Sequence, residues 1–148
     1  MEENYEESEI SEILSYNGIE EELIQYKKYL DEQINNLIFN STPGNTIKKF
    51  TWNLVDKNYE GIGVLYDHPG RFKYKGNFKE GKYDGFGELY DSSDGLLIYE
   101  GFFNNNNYCG KGILYKYGKK RYEGNFKNNN YESIGIEYLS NGKRKRKA

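Results

Sequence analysis

The sequence predicts a mostly β fold, an elongated single-layer antiparallel sheet of successive β-hairpins with an amphipathic helix before it. Three observations indicate this. Aromatic residues make up 17% of the 148 residues, with 16 Tyr and 8 Phe supplying most of the large apolar side chains. Gly occurs 17 times against two Pro and is spread along the chain, which implies regular turns. A pattern also recurs every 23 to 25 residues over the last two-thirds of the chain.

The first segment, residues 1–40, is acidic and is predicted to be helical. Asn17 and Gly18 separate a short helical stretch from a longer one that spans about residues 18–39. The longer helix can cover an end or face of the sheet, or it can dock a partner or self-associate, since Ile24 and Ile38 widen its apolar stripe. Residues 41–49 are predicted to be a connector. The stripe itself recurs in steps of three and four: Ile19, Leu23, Tyr26, Leu30, Ile34 and Leu37.

The repeat array is predicted over residues 50–142. Each repeat has two short alternating runs, joined by polar turns with Gly, which is typical of a hairpin. A weaker first unit, from Phe50 to Tyr59, is predicted to cap the array. The first run of the other repeats alternates rings with a glycine: Tyr74, Gly76 and Phe78; Tyr99, Gly101 and Phe103; Tyr122, Gly124 and Phe126. The second run carries Gly85 and Gly87, then Gly110 and Gly112, then Gly135, where Ser133 replaces the first glycine.

Alternation places the rings and the glycines of these runs on one face of the sheet, because residues two apart in a strand point the same way. Gly weakens an isolated strand, so its regular placement requires a reason. We expect the rings of one repeat to lie over the bare backbone of the next. A valine at Gly87 or Gly112 should therefore overpack the fold.

These runs resemble a known family. The pattern Tyr-x-Gly-x-Phe, followed by Tyr-x-Gly-x-Gly-x-Leu/Ile-Tyr, is similar to the MORN repeat (membrane occupation and recognition nexus), and the similarity covers residues 50–142. The resemblance implies an elongated, twisted sheet of hairpins that serves as a scaffold and a protein-binding surface. Some arrays of this family are linked to acidic phospholipids.

Catalytic chemistry has few candidates in the chain. His68, the single histidine, lies at a predicted hairpin tip between Tyr66 and Gly70. Cys109, the single cysteine, lies in another repeat about 40 residues away, so no nucleophile and base are paired in the sequence. One His and one Cys do not make a metal site. We expect no catalytic, cofactor or metal site, and no enzyme activity.

The charge is divided between the two ends of the chain. Residues 1–32 hold eleven acidic side chains against Lys27 and Lys28. The tail, residues 143–148, carries Lys143, Arg144, Lys145, Arg146 and Lys147. It can be a solvated end, or it can contact an acidic protein surface, an anionic membrane, a nuclear import receptor or nucleic acid. Nucleic acid is disfavoured because no aromatic residues interleave with these charges.

These features predict a non-catalytic scaffold that binds protein within a larger assembly, cytoskeletal or axonemal, in the cytoplasm and associated with the cytoskeleton or a cilium. No apolar run is long enough to span a membrane. Alternatives are peripheral recruitment to acidic membranes, or a bacterial or viral neutralising protein resembling an antitoxin. The predicted partner-binding residues lie opposite the glycine-bearing face: Tyr66, Tyr90, Tyr115 and Tyr138.

Overall fold

The computed structural model describes residues 19–39, 48–51, 55–67 and 71–145. Within these residues the chain forms one helix and one eight-stranded sheet, in which every strand pairs with the next along the sequence. The predicted fold class is confirmed. The elements are α1 (Ile19–Phe39), β1 (Lys48–Thr51), β2 (Gly61–Tyr66), β3 (Phe72–Lys79), β4 (Lys82–Tyr90), β5 (Leu97–Asn104), β6 (Asn107–Lys116), β7 (Lys119–Lys127) and β8 (Asn130–Glu137).

Each tyrosine that opens a repeat lies over a pair of glycines that face each other across two strands. Gly76 pairs with Gly87, and both lie beneath the ring of Tyr74. A Cβ added to Gly87 would stand under 3.0 Å from the Tyr74 hydroxyl oxygen, closer than real Cβ atoms come to another atom. The Tyr74 hydroxyl then donates to the Asn77 carbonyl at 2.8 Å. The same arrangement places Tyr99 over Gly101 and Gly112, and Tyr122 over Gly124 and Gly135.

The predicted packing of rings on bare backbone is therefore confirmed, with one correction. The rings cover the glycine pair of their own hairpin and not that of the next repeat. The reason lies in the strand register: Gly76 pairs directly with Gly87 across β3 and β4, so the Tyr74 ring, on the same face as Gly76, meets both. Phe78 contacts the neighbouring repeat instead, where a Cβ on Gly63 would meet its ring.

Asparagine turns link successive hairpins along one edge of the sheet. Asn106 and Asn129 occupy turns with φ of 71° and 69°, a backbone region that Asn tolerates better than most residues. The Asn106 backbone N–H donates to the Tyr83 carbonyl at 2.9 Å, and its Oδ1 accepts from the Tyr83 N–H at 2.8 Å. Asn129 makes the same two bonds to Tyr108, at 3.2 and 2.8 Å. The sequence predicts a polar turn at residues 104–107 but not these hydrogen bonds to the preceding hairpin.

Helix α1 covers the face of the sheet opposite the glycines. Covering the sheet is one of the two roles that the sequence predicts for this helix. It contacts β2, β4 and β6. Its 21 residues, about 31 Å long, suffice to cross several strands spaced about 4.8 Å apart. Glu20 near its start contacts Lys120 on β7, so α1 begins above the last hairpins. The buried residues at this interface are Ile19, Leu23, Leu30 and Ile34 of the helix and Val64, Phe86 and Ile113 of the sheet.

The first predicted unit differs from the expected hairpin. Residues 48–51 pair with residues 63–66 of β2 in parallel, whereas a hairpin would pair them antiparallel. The other side of β2 is already occupied by β3, so β1 adds at the outer edge. A turn closed by the Tyr59 N–H and the Asp56 carbonyl, 3.0 Å apart, lies between the two strands. Trp52 and Leu54, on which part of the capping prediction rests, lie outside the described residues.

We expect Gly112→Ala to destabilise the fold by about 3 kcal/mol, at the upper end of overpacking costs, because the new Cβ would displace the buried Tyr99 ring. Thermal and urea unfolding followed by circular dichroism measures this. The control is Gly95→Asn, in a turn where an added Cβ meets nothing within 4 Å and where Asn accepts the φ of 75°. Equal costs for the two variants would contradict the ring-on-glycine account.

Candidate protein-binding faces

The sheet presents two different faces, named here by what lies on them. The glycine face carries the rings that cover the glycine pairs, and the helix face packs against α1. On the glycine face, a second tyrosine stacks on each buried one. The ring centroids are 3.9 Å apart for Tyr74 and Tyr83, 4.0 Å for Tyr99 and Tyr108, and 4.3 Å for Tyr122 and Tyr131.

The second tyrosine of each stack forms what we call the open tyrosine row: Tyr83, Tyr108 and Tyr131. These rings are half-buried or exposed, up to 42% for Tyr131, whereas their stacking partners are buried. Of the residues that the structure describes, none from α1 packs in this aromatic cluster. Burial raises the pKa of Tyr83 to about 12. The row therefore consists of partly solvated rings at equivalent positions of three repeats.

The sequence predicts that Tyr83 shares a face with Gly85 and Gly87, but no binding role was predicted for the three tyrosines of this row. The sequence does indicate the face on which these rings lie, because Tyr83 and Tyr108 stand two residues before Gly85 and Gly110 in alternating strands. This spacing places them on the glycine face. Alternation alone does not say which ring of a stack is buried, and that depends on the register of the two strands.

The predicted tyrosine row lies on the helix face and is already engaged within the chain. The Tyr90 hydroxyl donates to Glu88 Oε2 at 2.5 Å, and the Tyr115 hydroxyl donates to Glu100 Oε1 at 2.7 Å. Tyr138 donates to Glu123 Oε1 in the same way. Burial and then the hydrogen bond to the carboxylate raise the pKa of each of these three hydroxyls. Tyr66 stacks instead on Phe72, with centroids 4.9 Å apart. That this row holds a partner stays a prediction.

The three glutamates of these pairs are buried between α1 and the sheet. Glu88 is 2% exposed, and its Oε2 lies 3.7 Å from Lys75 Nζ. Glu100 accepts from Lys27 of α1 at 3.0 Å. Burial lowers the pKa of Lys27, but the hydrogen bond and the charge of Glu100 outweigh it, so this pKa lies above its ordinary value of 10.5. A buried carboxylate is costly without such partners, so the Lys27–Glu100 pair, which joins α1 to the sheet, favours one position of the helix.

The start of the basic tail lies against the end of β8. Arg144 forms an antiparallel bridge with Tyr138, and the Lys145 N–H donates to the Glu137 carbonyl at 2.7 Å. Lys145 Nζ is 3.2 Å from Glu137 Oε2. Arg146 and Lys147 lie outside the described residues. A role of the tail in binding stays a prediction.

The catalytic candidates give no assembled site in the part of the chain that the structure describes. Cys109 is a free, half-buried thiol on β6, and His68 lies outside the described residues. No three His, Cys, Asp or Glu side chains among the described residues come together as metal ligands. Among the described residues, no helix combines the length and the apolar character that crossing a bilayer requires.

Comparison with known proteins identifies the repeat. A family model described as MORN repeat matches residues 74–95, 99–118 and 122–144, three consecutive stretches that coincide with the β3–β4, β5–β6 and β7–β8 hairpins. No curated protein matches the chain.

Alkaline pH should unfold the protein, because burial raises the pKa of Tyr74 and Tyr99 far above 10 and that of Tyr83 to about 12. Above about pH 10 the unfolded chain loses phenolic protons that the folded chain retains, so the unfolding free energy falls as pH rises. Circular dichroism and the part of the tyrosinate absorbance that comes from the buried rings should change together, in one cooperative step between about pH 10 and 12. Full tyrosine ionisation near pH 10 with unchanged circular dichroism would contradict this.

Proposed function

Because the chain is a small MORN-repeat protein, we propose that it is a non-catalytic scaffold subunit that holds a protein partner within a larger assembly. MORN repeats are commonly protein- or membrane-binding modules and are generally non-catalytic. The observation that carries the proposal is the open tyrosine row. Three partly exposed rings stand on alternate strands β4, β6 and β8, about 10 Å apart from one to the next.

This row has the chemistry of a protein-binding surface. Tyrosine offers a large ring with few rotatable bonds, and it is enriched among the residues that dominate interface energies. The rings are already ordered by stacking on buried neighbours, so a partner would pay little to immobilise them. A partner lying across the strands would meet all three. The predicted row of Tyr66, Tyr90, Tyr115 and Tyr138 remains the competing face.

We further propose that the assembly is cytoskeletal or axonemal and that the protein acts in the cytoplasm. The support for this finer step is the scaffold role that the family resemblance implies. Imaging of the tagged protein in its native cell tests it. Diffuse fluorescence with no filament or cilium association would remove the cytoskeletal part and leave the protein-binding part in place.

The two faces can be separated by matched double variants. We expect Tyr108→Ala with Tyr131→Ala to weaken partner capture about tenfold or more, because aromatic anchors carry most of the binding energy. Tyr90→Phe with Tyr115→Phe should leave capture unchanged. The measurement is binding to the partner that co-purifies from the native cell in mild salt.

The control is Tyr117→Ala, a turn residue that is 82% exposed and outside both rows. Circular dichroism of every variant shows whether the fold is kept. Loss of capture by the phenylalanine pair, with the alanine pair unaffected, would assign binding to the helix-face tyrosines instead.

A second candidate function is recruitment to an anionic membrane, and a cluster of cations on one edge of the sheet favours it. Lys116, Lys119, Lys120 and Arg121 line a shallow cavity of about 240 Å³. Each cation near an anionic surface contributes about 1 kcal/mol of attraction.

Flotation with vesicles measures this attraction. If the edge binds membranes, vesicles with a large fraction of acidic lipid should carry the protein upward, and vesicles of neutral lipid should not. Removing residues 143–148 should reduce the floated fraction. Flotation that does not depend on acidic lipid would rule out this function.

A further inference from the structure

One long edge of the sheet collects positive charge near its C-terminal end. We call this surface the basic edge. It comprises Lys116 at the end of β6 and Lys119, Lys120 and Arg121 at the start of β7, with Lys143–Lys145 beside them. The Arg121 carbonyl accepts from the Tyr138 N–H at 2.9 Å, and the Lys143 carbonyl accepts from the Leu139 N–H at 2.7 Å. These bonds hold the turn and the start of the tail side by side.

Most of this charge is not neutralised by the chain that the structure describes. Lys116, Lys119 and Arg121 are exposed, and none of them forms an ion pair with a described acidic residue. Lys116 Nζ lies 5.7 Å from the ring centre of the exposed Tyr117. Like charges gathered in this way repel one another, and a ligand with several carboxylates would relieve the repulsion.

Three carboxylates of the chain already contact the edge: Glu123 and Glu137 of the sheet, and Glu20 from the start of α1. Glu20 contacts Lys120 Nζ, and Glu22 Oε2 lies 2.5 Å from Lys111 Nζ on the neighbouring strand β6. The first turn of α1 therefore begins at the basic edge. The chain that leads into this turn comes from a strongly acidic stretch, since residues 2–12 contain six Glu and no Lys or Arg.

Chain length permits this stretch to reach the edge. Six residues lie between Glu12 and Ile19, so the two Cα atoms are at most about 25 Å apart in an extended chain. Glu20, one residue further on, is already in contact with a lysine that lines the cavity. The covalent connection to Glu20 thus gives residues 2–12 a high effective concentration at the basic edge.

We propose that residues 2–12, the acidic segment, dock on the basic edge of the same chain as an internal ligand. The six carboxylates pair with the lysines and arginine of the edge in place of an external anion. An acidic protein or an anionic membrane then binds the edge only by displacing the segment. The inference is independent of the open tyrosine row, which lies on the glycine face.

Zero-length carbodiimide crosslinking of the full chain tests the docking, because the reagent joins a carboxylate to a lysine amine only when the two are in contact. Isotopically heavy and light protein are mixed at low concentration, so that links within and between copies have different masses. We expect links from residues 2–12 to Lys116, Lys119, Lys143 or Lys145 within one copy. They should disappear at about 1 M salt, where the screening length is about 3 Å.

Two charge-reversal triples provide a matched comparison. The first triple is Lys116→Glu, Lys119→Glu and Arg121→Glu. It should abolish the crosslinks from residues 2–12 to Lys143 and Lys145, two lysines that this triple does not change. The second triple is Lys79→Glu, Lys82→Glu and Lys127→Glu, all exposed and on the opposite edge of the sheet. It should leave these crosslinks unchanged. Equal loss in both triples would show a non-specific attraction and overturn the proposal.

A competition experiment measures the displacement. A synthetic peptide of residues 2–12 should bind about tenfold more tightly to a variant in which the six glutamates are replaced by glutamine than to the unaltered chain, because the internal ligand no longer competes. Equal affinity overturns the proposal. Links found only between copies, or binding of the edge to anionic vesicles with no crosslink from residues 2–12, also overturn it and assign the edge to an external partner.

Discussion

The packing of one tyrosine ring over two glycines in each hairpin is the constraint on which the rest of this structure depends. Tyr99 can lie flat against Gly101 and Gly112 only because neither residue has a Cβ. The Tyr99 hydroxyl holds the ring in this position by donating a hydrogen bond to the Phe102 carbonyl at 2.8 Å. Because this buried ring supports a second, stacked ring, the same constraint that builds the fold also creates the partly exposed tyrosines of the glycine face.

The two faces are stabilised by different chemistry. The glycine face is aromatic, and its rings meet edge to face or stacked at centroid distances of about 4 to 6 Å. The helix face combines an apolar strip with buried glutamates. Each glutamate accepts a hydrogen bond from a tyrosine hydroxyl and forms an ion pair with a lysine. Apolar burial alone would let α1 slide along the sheet, since Val64 and Ile113 offer similar surfaces. The pairing of Lys27 with Glu100 fixes one position, because leaving that carboxylate unpaired would be costly.

The two long edges of the sheet also differ in their chemistry. On one edge, Asn106 and Asn129 tie each hairpin to the one before it and leave little chemistry for a partner. On the other, the turn that holds Tyr117 carries several lysines and lies where α1 begins. A small repeat array thereby separates three surfaces with different ligand chemistry. The aromatic face suits a protein, the helix face is used by the chain itself, and the basic edge suits carboxylates or phosphates.

Local alternation and the helical repeat are enough to predict the hairpin period, the face shared by Tyr74, Gly76 and Phe78, and the apolar stripe of α1. What each face contacts depends on the three-dimensional packing. It placed Tyr74 over the glycines of its own hairpin, joined β1 to β2 in parallel, and gave Tyr90 and Tyr115 buried carboxylate partners. It also left Tyr83 and Tyr108 partly exposed. The physical reason is that periodicity fixes the direction of a side chain, whereas strand register, bulges and the path of α1 fix its neighbours.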